Sequence, residues 1–272
     1  MKTRKRKNVW FKIVLAIAVV FILLAIIAPI FAPHDPLKTD FARILEAPSL
    51  EYPLGTDQVG RCILSRILYG ASVSLGMTSL LLSIVTILGV TIGVISGLFG
   101  GIVDTIIMRI TDTVLSFPDI VFAIAIVGVL GPGMKNTIIA FSIVWWTKYA
   151  RLTRVLVWEV KNNEYIQAAK MAGAGKMKLV THYIFPNISS SFIVQFVIDI
   201  GGIMLALAGL SFLGLGVQTP TPEWGNMLNE GRAYLQTAPW LLIFPGIAIF
   251  TVVAIFNTLG DLARDVLDPK HT

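Results

Sequence analysis

The chain contains six apolar stretches separated by more polar segments. They cover approximately residues 9–31, 73–98, 102–130, 136–157, 188–215 and 240–259. Each stretch reaches the length of about 20 residues that a helix needs to cross the hydrocarbon core of a bilayer. Continuous apolar runs of this length are typical of transmembrane helices and far too long for strands. The pattern therefore predicts an all-α polytopic membrane protein with six transmembrane helices.

The composition agrees with this interpretation, because 55% of the residues are hydrophobic and only 14% are charged. A soluble domain carries about 25% charged residues. The net charge of +6 is concentrated before the first apolar stretch and within residues 148–178. Lysine and arginine accumulate on the cytoplasmic side of a membrane. We therefore expect a lipid bilayer and no nucleic acid as the partner of these charges, with the N-terminus and the loop after the fourth stretch in the cytoplasm.

The predicted organisation follows from these boundaries. It comprises a basic cytoplasmic N-terminus (1–8), a first transmembrane helix (9–31), an external segment (32–72), a five-helix core (73–262) with a cytoplasmic loop (158–187), and a cytoplasmic tail (263–272). Basic residues followed by an apolar run also describe a signal peptide, but the long run and the five further stretches favour an uncleaved span. Cys62 is the only cysteine, which excludes an intrachain disulfide.

The loop over residues 158–187, hereafter the hairpin, is polar and basic between two apolar stretches. Its small residues recur at helical spacing and predict one small-residue face that a partner can approach closely. The members of this predicted face are Ala168, Ala169, Ala172 and Gly173. Asn162 or Asn163 is suited to cap the helix, and Ala174-Gly175 is predicted to end it. An ordinary amphipathic surface helix is the alternative interpretation.

Within the hairpin, Gln167-Ala168-Ala169, Gly173 and Phe185-Pro186 resemble the EAA signature loop of bacterial ATP-driven import permeases, with Gln167 at the place where Glu is usual. In that family the loop forms a coupling helix that lies in a groove of the ATPase subunit. The resemblance implies the following coupling residues here: Glu164, Gln167, Ala168, Ala169, Gly173 and Pro186.

Two further motifs resemble the dipeptide, oligopeptide and nickel branch of the same permeases. The first is Leu54-Gly55-Thr56-Asp57 with Gly60-Arg61 and Ser65-Arg66, and the second joins Ser211–Val217 to Pro220–Gly225. The first motif is open to two interpretations, a capped external turn or a segment that contacts cargo. In the second, Trp224 is expected at the membrane interface. The resemblance extends over about residues 54–269.

Ionisable residues within the apolar stretches are costly and usually face a bundle interior or a cavity. Arg109 and Asp112 are three residues apart, so we expect them to pair on one helix face. Asp104 and Asp119 lie in the same stretch, and Asp199 lies in the middle of the fifth. Two hypotheses remain open for the acids: polar contacts between helices, or, for Asp199 with Arg109 and Asp112, a lining of the translocation pathway.

Enzymatic chemistry is not indicated by the sequence. Gly173-Ala174-Gly175-Lys176 lacks the spacing and the Ser or Thr of a phosphate-binding loop. The three histidines are far apart, which predicts no structural metal site, although a transiently coordinated metal cargo stays open. No catalytic residue and no cofactor are expected on this chain, with ATP and Mg²⁺ placed on partner ATPases.

The resemblance implies a type I ATP-binding-cassette (ABC) importer permease in a bacterial cytoplasmic membrane, working by alternating access. The implied partners are a homologous permease subunit in a heterodimer, two ABC ATPase subunits and an extracytoplasmic solute-binding protein. The implied cargo is a di- or oligopeptide, or nickel, free or chelated. The alternatives are a secondary transporter driven by an ion gradient and, less favoured, a membrane-embedded enzyme or sensor.

Overall fold

The computed structural model describes residues 2–267, with side chains described for residues 8–266. Its α-helices are α1 (Lys2–Ile27), α2 (Ile63–Phe99), α3 (Gly101–Leu115), α4 (Asp119–Leu130), α5 (Met134–Lys161), α6 (Glu164–Met171), α7 (Lys176–Lys178), α8 (Phe185–Phe212), α9 (Trp224–Gly231) and α10 (Trp240–Leu267). Three short 3₁₀ turns, Ala28–Phe31, Phe41–Arg43 and Arg232–Tyr234, complete the described elements with one π-helical segment, Leu179–Ile184. No strand occurs within this range, which confirms the all-α prediction. Residues 268–272 of the predicted tail lie outside the described residues.

Four helical stretches are long and apolar enough to cross a membrane: Asn8–Phe31, Ile63–Phe99, Lys176–Phe212 and Trp240–Val266. Helices α3 and α4 together pass the same test as one broken span. Helix α5 has 28 residues, about 42 Å at the helical rise, but its basic residues lower its hydropathy. Length and composition thus identify four or five spans. Helix α5 is one further long helix of the bundle, which brings the number of long helical segments to six.

The stretch 102–130, predicted as one span, is two helices that meet at an angle of 89°. Pro118 stands at the break and precedes the first residue of α4. Proline lacks a backbone N–H and disfavours helical geometry at the residue before it. The chain therefore turns at Ser116–Pro118, and α3 and α4 present separate faces to α5.

Helices α2 and α5 form the closest pair in the bundle, and glycines on α2 make their approach possible. A Cβ atom added at Gly89 would lie 2.3 Å from Cβ of Tyr149, and one added at Gly93 would lie 2.5 Å from the carbonyl oxygen of Ala150. A Cβ at Gly97 would lie 2.8 Å from Val157. Small residues at every fourth position allow helix backbones to approach closely in lipid.

The segment from Lys176 to Phe212 runs as one helical stretch, and its α-helical part α8 begins at Phe185. The helix resumes at Lys176, and the π-helical segment Leu179–Ile184 joins it to α8. Because Pro186 cannot donate to a carbonyl in the preceding turn, a local change of helical geometry accommodates it. The hairpin is therefore connected to α8 by continuous helical backbone.

Helix α10 packs against both α8 and α1. Ser72 Oγ of α2 donates to the carbonyl oxygen of Ala25 near the end of α1. Lys161 Nζ, at the end of α5, donates to the carbonyl oxygens of Gly97 and Leu98 at 3.2 and 2.7 Å. The ends of α2 and α5 therefore meet at the same end of the bundle as the hairpin, here called the hairpin end, and residues 32–62 and 216–239 occupy the far end.

Candidate functional site

The hairpin is anchored to the bundle by one face of α6. Ile166 and Ala169 are buried in a cluster with Val157 of α5 and with Leu179 and Ile188 of the following helical stretch. Ala169 is only 8% exposed. The predicted four-residue small face is therefore wrong for Ala169, because the helix turns this side chain towards the core. Ala169 positions α6 and does not lie on its outer surface.

The opposite face of the hairpin is fully accessible. Gln167, Ala168 and Ala172 are exposed. Two methionines beside them, Met171 and Met177, are 90% and 76% exposed. Neither methionine was among the predicted contact residues, although methionines within a basic polar segment are an unusual surface feature. Flexible, polarisable methionine side chains adapt to partner surfaces, and exposed apolar groups of this kind mark protein contacts.

The ends of α6 are set by backbone conformation. Gly173 has a φ of +84°, in the left-handed region that other residues rarely adopt, and it closes the helix at its C-terminal end. Asn163 occupies the N-cap position, as predicted, but its side chain makes no cap hydrogen bond. Glu164 lies exposed in the first turn, and Pro186 lies exposed at the start of α8.

Acidic residues of α3 and α4 pair with basic residues of α5. Arg154 Nη2 lies 2.6 Å from Asp104 Oδ2, and two further ion pairs join Asp112 to Arg151 and Asp119 to Lys148. The predicted Arg109–Asp112 pair is therefore wrong, since Asp112 reaches across to α5. Arg109 makes no ion pair within the described residues. Polar contact between helices is the role of these three acids.

Asp199 has a different environment from the other membrane acids. Its Oδ2 accepts from the hydroxyl of Tyr149 at 2.6 Å, and its Oδ1 accepts from Nε2 of Gln195 at 2.9 Å. No basic side chain pairs with it in the described part of the chain. It lines a pocket of about 240 Å³ together with Trp145, Lys148 and Tyr149.

At the far end, the first sequence motif forms a buried ion-pair network. Arg61 Nε lies 2.5 Å from Asp57 Oδ2, and Arg61 Nη2 lies 3.1 Å from Glu230 Oε1. Arg66 Nη2 lies 2.8 Å from Glu230 Oε2. Buried charges of this kind are paired to compensate for lost hydration. The motif is thus a packed structural element, and the interpretation as a capped external turn fits its geometry.

The second motif packs against the first. Trp224 is buried, and its indole N–H donates to the carbonyl oxygen of Ile67 at 3.0 Å, so its predicted place at the membrane interface is wrong. Glu223 caps α9 by accepting from the N–H groups of Gly225 and Asn226 at 2.9 and 2.8 Å. A Cβ added at Gly225 would lie 2.5 Å from the carbonyl oxygen of Ala208. Helix α9 therefore lies directly against α8.

Comparison with known proteins identifies the family. Residues 89–272 match the family described as "Binding-protein-dependent transport system inner membrane component". Residues 3–48 match the N-terminal transmembrane domain of oligopeptide transport permease C. The fold resembles a chain of the inward-facing MetNI methionine ABC transporter, with a TM-score of 0.59, 17% identity, and coverage of 74% of this chain and 95% of that one.

Several curated permeases are similar over most of their length. A dipeptide transport permease from Alkalihalophilus pseudofirmus is 43% identical over 97% of this chain and 87% of its own. A nickel transport permease from Escherichia coli K12 is 40% identical, with 95% and 93% covered, and a glutathione transport permease from Pectobacterium atrosepticum is 43% identical, with 92% and 85% covered. The chain therefore belongs to the family of inner-membrane permease components of binding-protein-dependent ABC importers.

Proposed function

We propose that this chain forms half of the translocation pathway of an ABC importer whose ATP is bound and hydrolysed, with Mg²⁺, on two separate ATPase subunits. The hairpin is the element through which their motion enters the bundle. The observation that carries this proposal is its division into two faces: Ile166 and Ala169 are buried against α5 and α8, and Met171 is almost fully exposed. A push on the outer face is passed to both long helices.

The outer face also has the chemistry of a docking surface. Lys170, Lys176 and Lys178 surround its methionines, so we expect an acidic rim around the matching groove of the ATPase. Gln167, Ala168 and Gly173 are exposed on the same segment, and Glu164 and Pro186 flank it in the sequence. This chain contributes no catalytic group or cofactor of its own in the proposed cycle.

The remaining partners are proposed from family membership and charge distribution. The second half of the pathway is a homologous permease subunit, so that a heterodimer carries one hairpin for each ATPase. A solute-binding protein delivers cargo at the far end. The positive-inside rule supports a cytoplasmic N-terminus and hairpin in a bacterial cell, and six spans put the C-terminus on the same side in this proposal. Relatives named for dipeptide, glutathione and nickel transport leave peptides and nickel as the proposed cargo classes.

Coupling is tested by Met171→Asp in the complete transport complex. Because Met171 makes no buried contact, this change leaves the bundle folded, and we expect loss of ATPase co-purification and of ATP-driven uptake. Leu50→Asp is the matched control, since Leu50 is a fully exposed apolar residue at the far end. Normal ATPase association in the Met171→Asp complex would contradict the assignment. Uptake by the permease subunits alone, driven by an ion gradient, would instead support a secondary transporter.

A further inference from the structure

Helix α8 carries a row of polar side chains between its start and its middle. Asn187, Ser191, Gln195 and Asp199 recur at every fourth position, so they lie on one helix face. The first three line a pocket of about 670 Å³ at the hairpin end, whose other wall includes Glu159 of α5. This row and the facing residues of α5 are called the α5–α8 groove below.

The groove continues to the deeper pocket at Asp199. Gln195 lines the wider pocket and donates to Asp199, which lines the deeper one. The two cavities therefore adjoin at this hydrogen bond. Polar side chains within a membrane helix are costly unless they face the bundle interior or a water-filled cavity. Contacts between helices explain only part of the row. Ser191, for example, is exposed and makes no hydrogen bond to another described side chain.

Fixed charge at the deeper pocket is negative. Asp199 has no basic partner in the described chain, while Lys148 is neutralised by its ion pair with Asp119. The wider pocket holds one acid and one base, Glu159 and Arg264, whose charges cancel. A carboxylate offers about four acceptor sites, and Tyr149 and Gln195 occupy two of those on Asp199. The remaining sites are free to accept donors from a ligand.

The chemistry of the deeper pocket selects among cations. It combines one carboxylate, Asp199, with the hydroxyl of Tyr149, and the Trp145 ring on its wall already carries Lys148 Nζ, 5.3 Å from the ring centroid. An ammonium group is well matched by a single carboxylate that accepts its N–H groups, whereas a dehydrated divalent metal ion takes several oxygen, nitrogen or sulfur ligands. Groups of three such ligands are absent from the residues that the structure describes.

We infer that the α5–α8 groove is the cargo path within this subunit and that Asp199 binds the primary ammonium group of a peptide-like cargo. The inference rests on the proposed function and assigns its substrate chemistry. The row on α8 then provides hydrogen-bonding groups about every 6 Å, one helical turn apart, between Asp199 and the hairpin end. The ammonium group leaves Asp199 along this row when the hairpin moves α5 and α8.

The test is charge-selective cysteine labelling of the reconstituted complex without ATP, so that a failure of coupling does not affect the result. Cys62→Ser removes the only native cysteine. Gly202→Cys then places a thiol in the deeper pocket, where an added Cβ meets no atom within 4 Å. Ile193→Cys is the control, since it is exposed on the opposite face of α8.

The positively charged trimethylammonium-ethyl methanethiosulfonate should label Gly202→Cys roughly tenfold faster than the negatively charged sulfonato-ethyl methanethiosulfonate. The reason is that the Asp199 carboxylate lies within about 6 Å of position 202 along the helix and attracts the cation. Asp199→Asn should remove this preference and Asp199→Glu should retain it, whereas Ile193→Cys should show none. Equal rates for both reagents at Gly202→Cys would overturn the inference. So would a preference that persists in Asp199→Asn.

Ligand protection identifies the group that binds. Dialanine should slow the labelling of Gly202→Cys, and N-acetyl-dialanine, which lacks the ammonium group, should not. Protection by N-acetyl-dialanine equal to that by dialanine, or protection by Ni²⁺ alone, would overturn the ammonium assignment. Loss of ATP-driven uptake with the labelling pattern intact would contradict only the proposed coupling function.

Discussion

Arg66 and Glu230 are 164 positions apart in the chain and are joined by a hydrogen-bonded ion pair with an Nη2–Oε2 distance of 2.8 Å. Arg66 lies in the first turn of helix α2, and Glu230 lies in the short helix α9. Arg61 reaches the same carboxylate through its own guanidinium. The far end of the bundle is therefore held together by charge pairs between distant segments.

Removing one member of this network should be strongly destabilising. Glu230→Gln leaves two buried guanidinium groups with Asp57 as their one remaining carboxylate, and we expect a loss of about 3 kcal/mol in the free energy of unfolding. Thermal unfolding of the purified complex in detergent measures this change. Glu51→Gln is the matched control, because it breaks the exposed Arg43–Glu51 pair and should leave the melting temperature unchanged. Equal effects of the two substitutions would contradict the assignment.

The contact between α2 and α5 should not tolerate a methyl group. Gly93→Ala places a Cβ 2.5 Å from both the Ala150 carbonyl oxygen and Cβ of Thr153, so the helices must separate, at a cost of about 1–3 kcal/mol. Gly76→Ala on the same helix meets no atom within 4 Å and should be neutral or slightly stabilising, since alanine favours helix more than glycine does. Melting temperatures that fall equally for both variants would argue against close packing here.

Two substitutions at Gly173, at the end of α6, should differ in their effect on transport because one of them adds a negative charge. Asparagine and aspartate both tolerate the positive φ of Gly173 better than other residues. Gly173→Asn should therefore preserve ATP-driven uptake, whereas Gly173→Asp should reduce it severalfold, because the proposed partner surface is acidic. Uptake by proteoliposomes and ATPase co-purification provide the two measurements. The docking model would be untenable if both variants behaved like the native complex.

Glu223 makes stability depend on pH. Burial raises the pKa of its carboxyl above the ordinary 4.5, and hydrogen bonds from Gly225 and Asn226 oppose that shift. A carboxyl with a raised folded pKa stabilises the fold below its unfolded pKa, and this contribution is lost as the pH rises through the folded value. The permanently neutral Glu223→Gln variant should therefore gain stability relative to the native chain as the pH rises from 4.5 to neutral.

Melting temperatures across this pH range check the prediction. Glu223→Ala is the control, because it removes both the titrating carboxyl and the cap of α9, and it should be less stable than Glu223→Gln by about 1 kcal/mol at every pH. If the difference between the native chain and Glu223→Gln stayed constant with pH, the raised pKa of Glu223 would be refuted.

Much of the site was predictable from the sequence, and the predictions that were wrong concern contacts between helices. The small residues at 168–173 and the break at Ala174-Gly175 located the hairpin, because composition and turn residues act locally. Spacing alone placed Ala169 on the docking face, but its neighbour Ile166 requires burial and the two share a core contact with Val157. Likewise, Arg109 and Asp112 have the spacing of a pair, yet Arg151 on α5 is the partner that Asp112 reaches.

The sequence by itself determined the helical class, the membrane setting and the hairpin, because apolar length, basic flanks and local turn residues are properties of short stretches of chain. Only the tertiary structure decided which helix faces meet. It paired Arg66 with Glu230, buried Trp224 and joined the row on α8 to the pocket at Asp199. These contacts depend on packing between segments 50 to 164 residues apart, and helical periodicity defines the faces of one helix without specifying which neighbour each face meets.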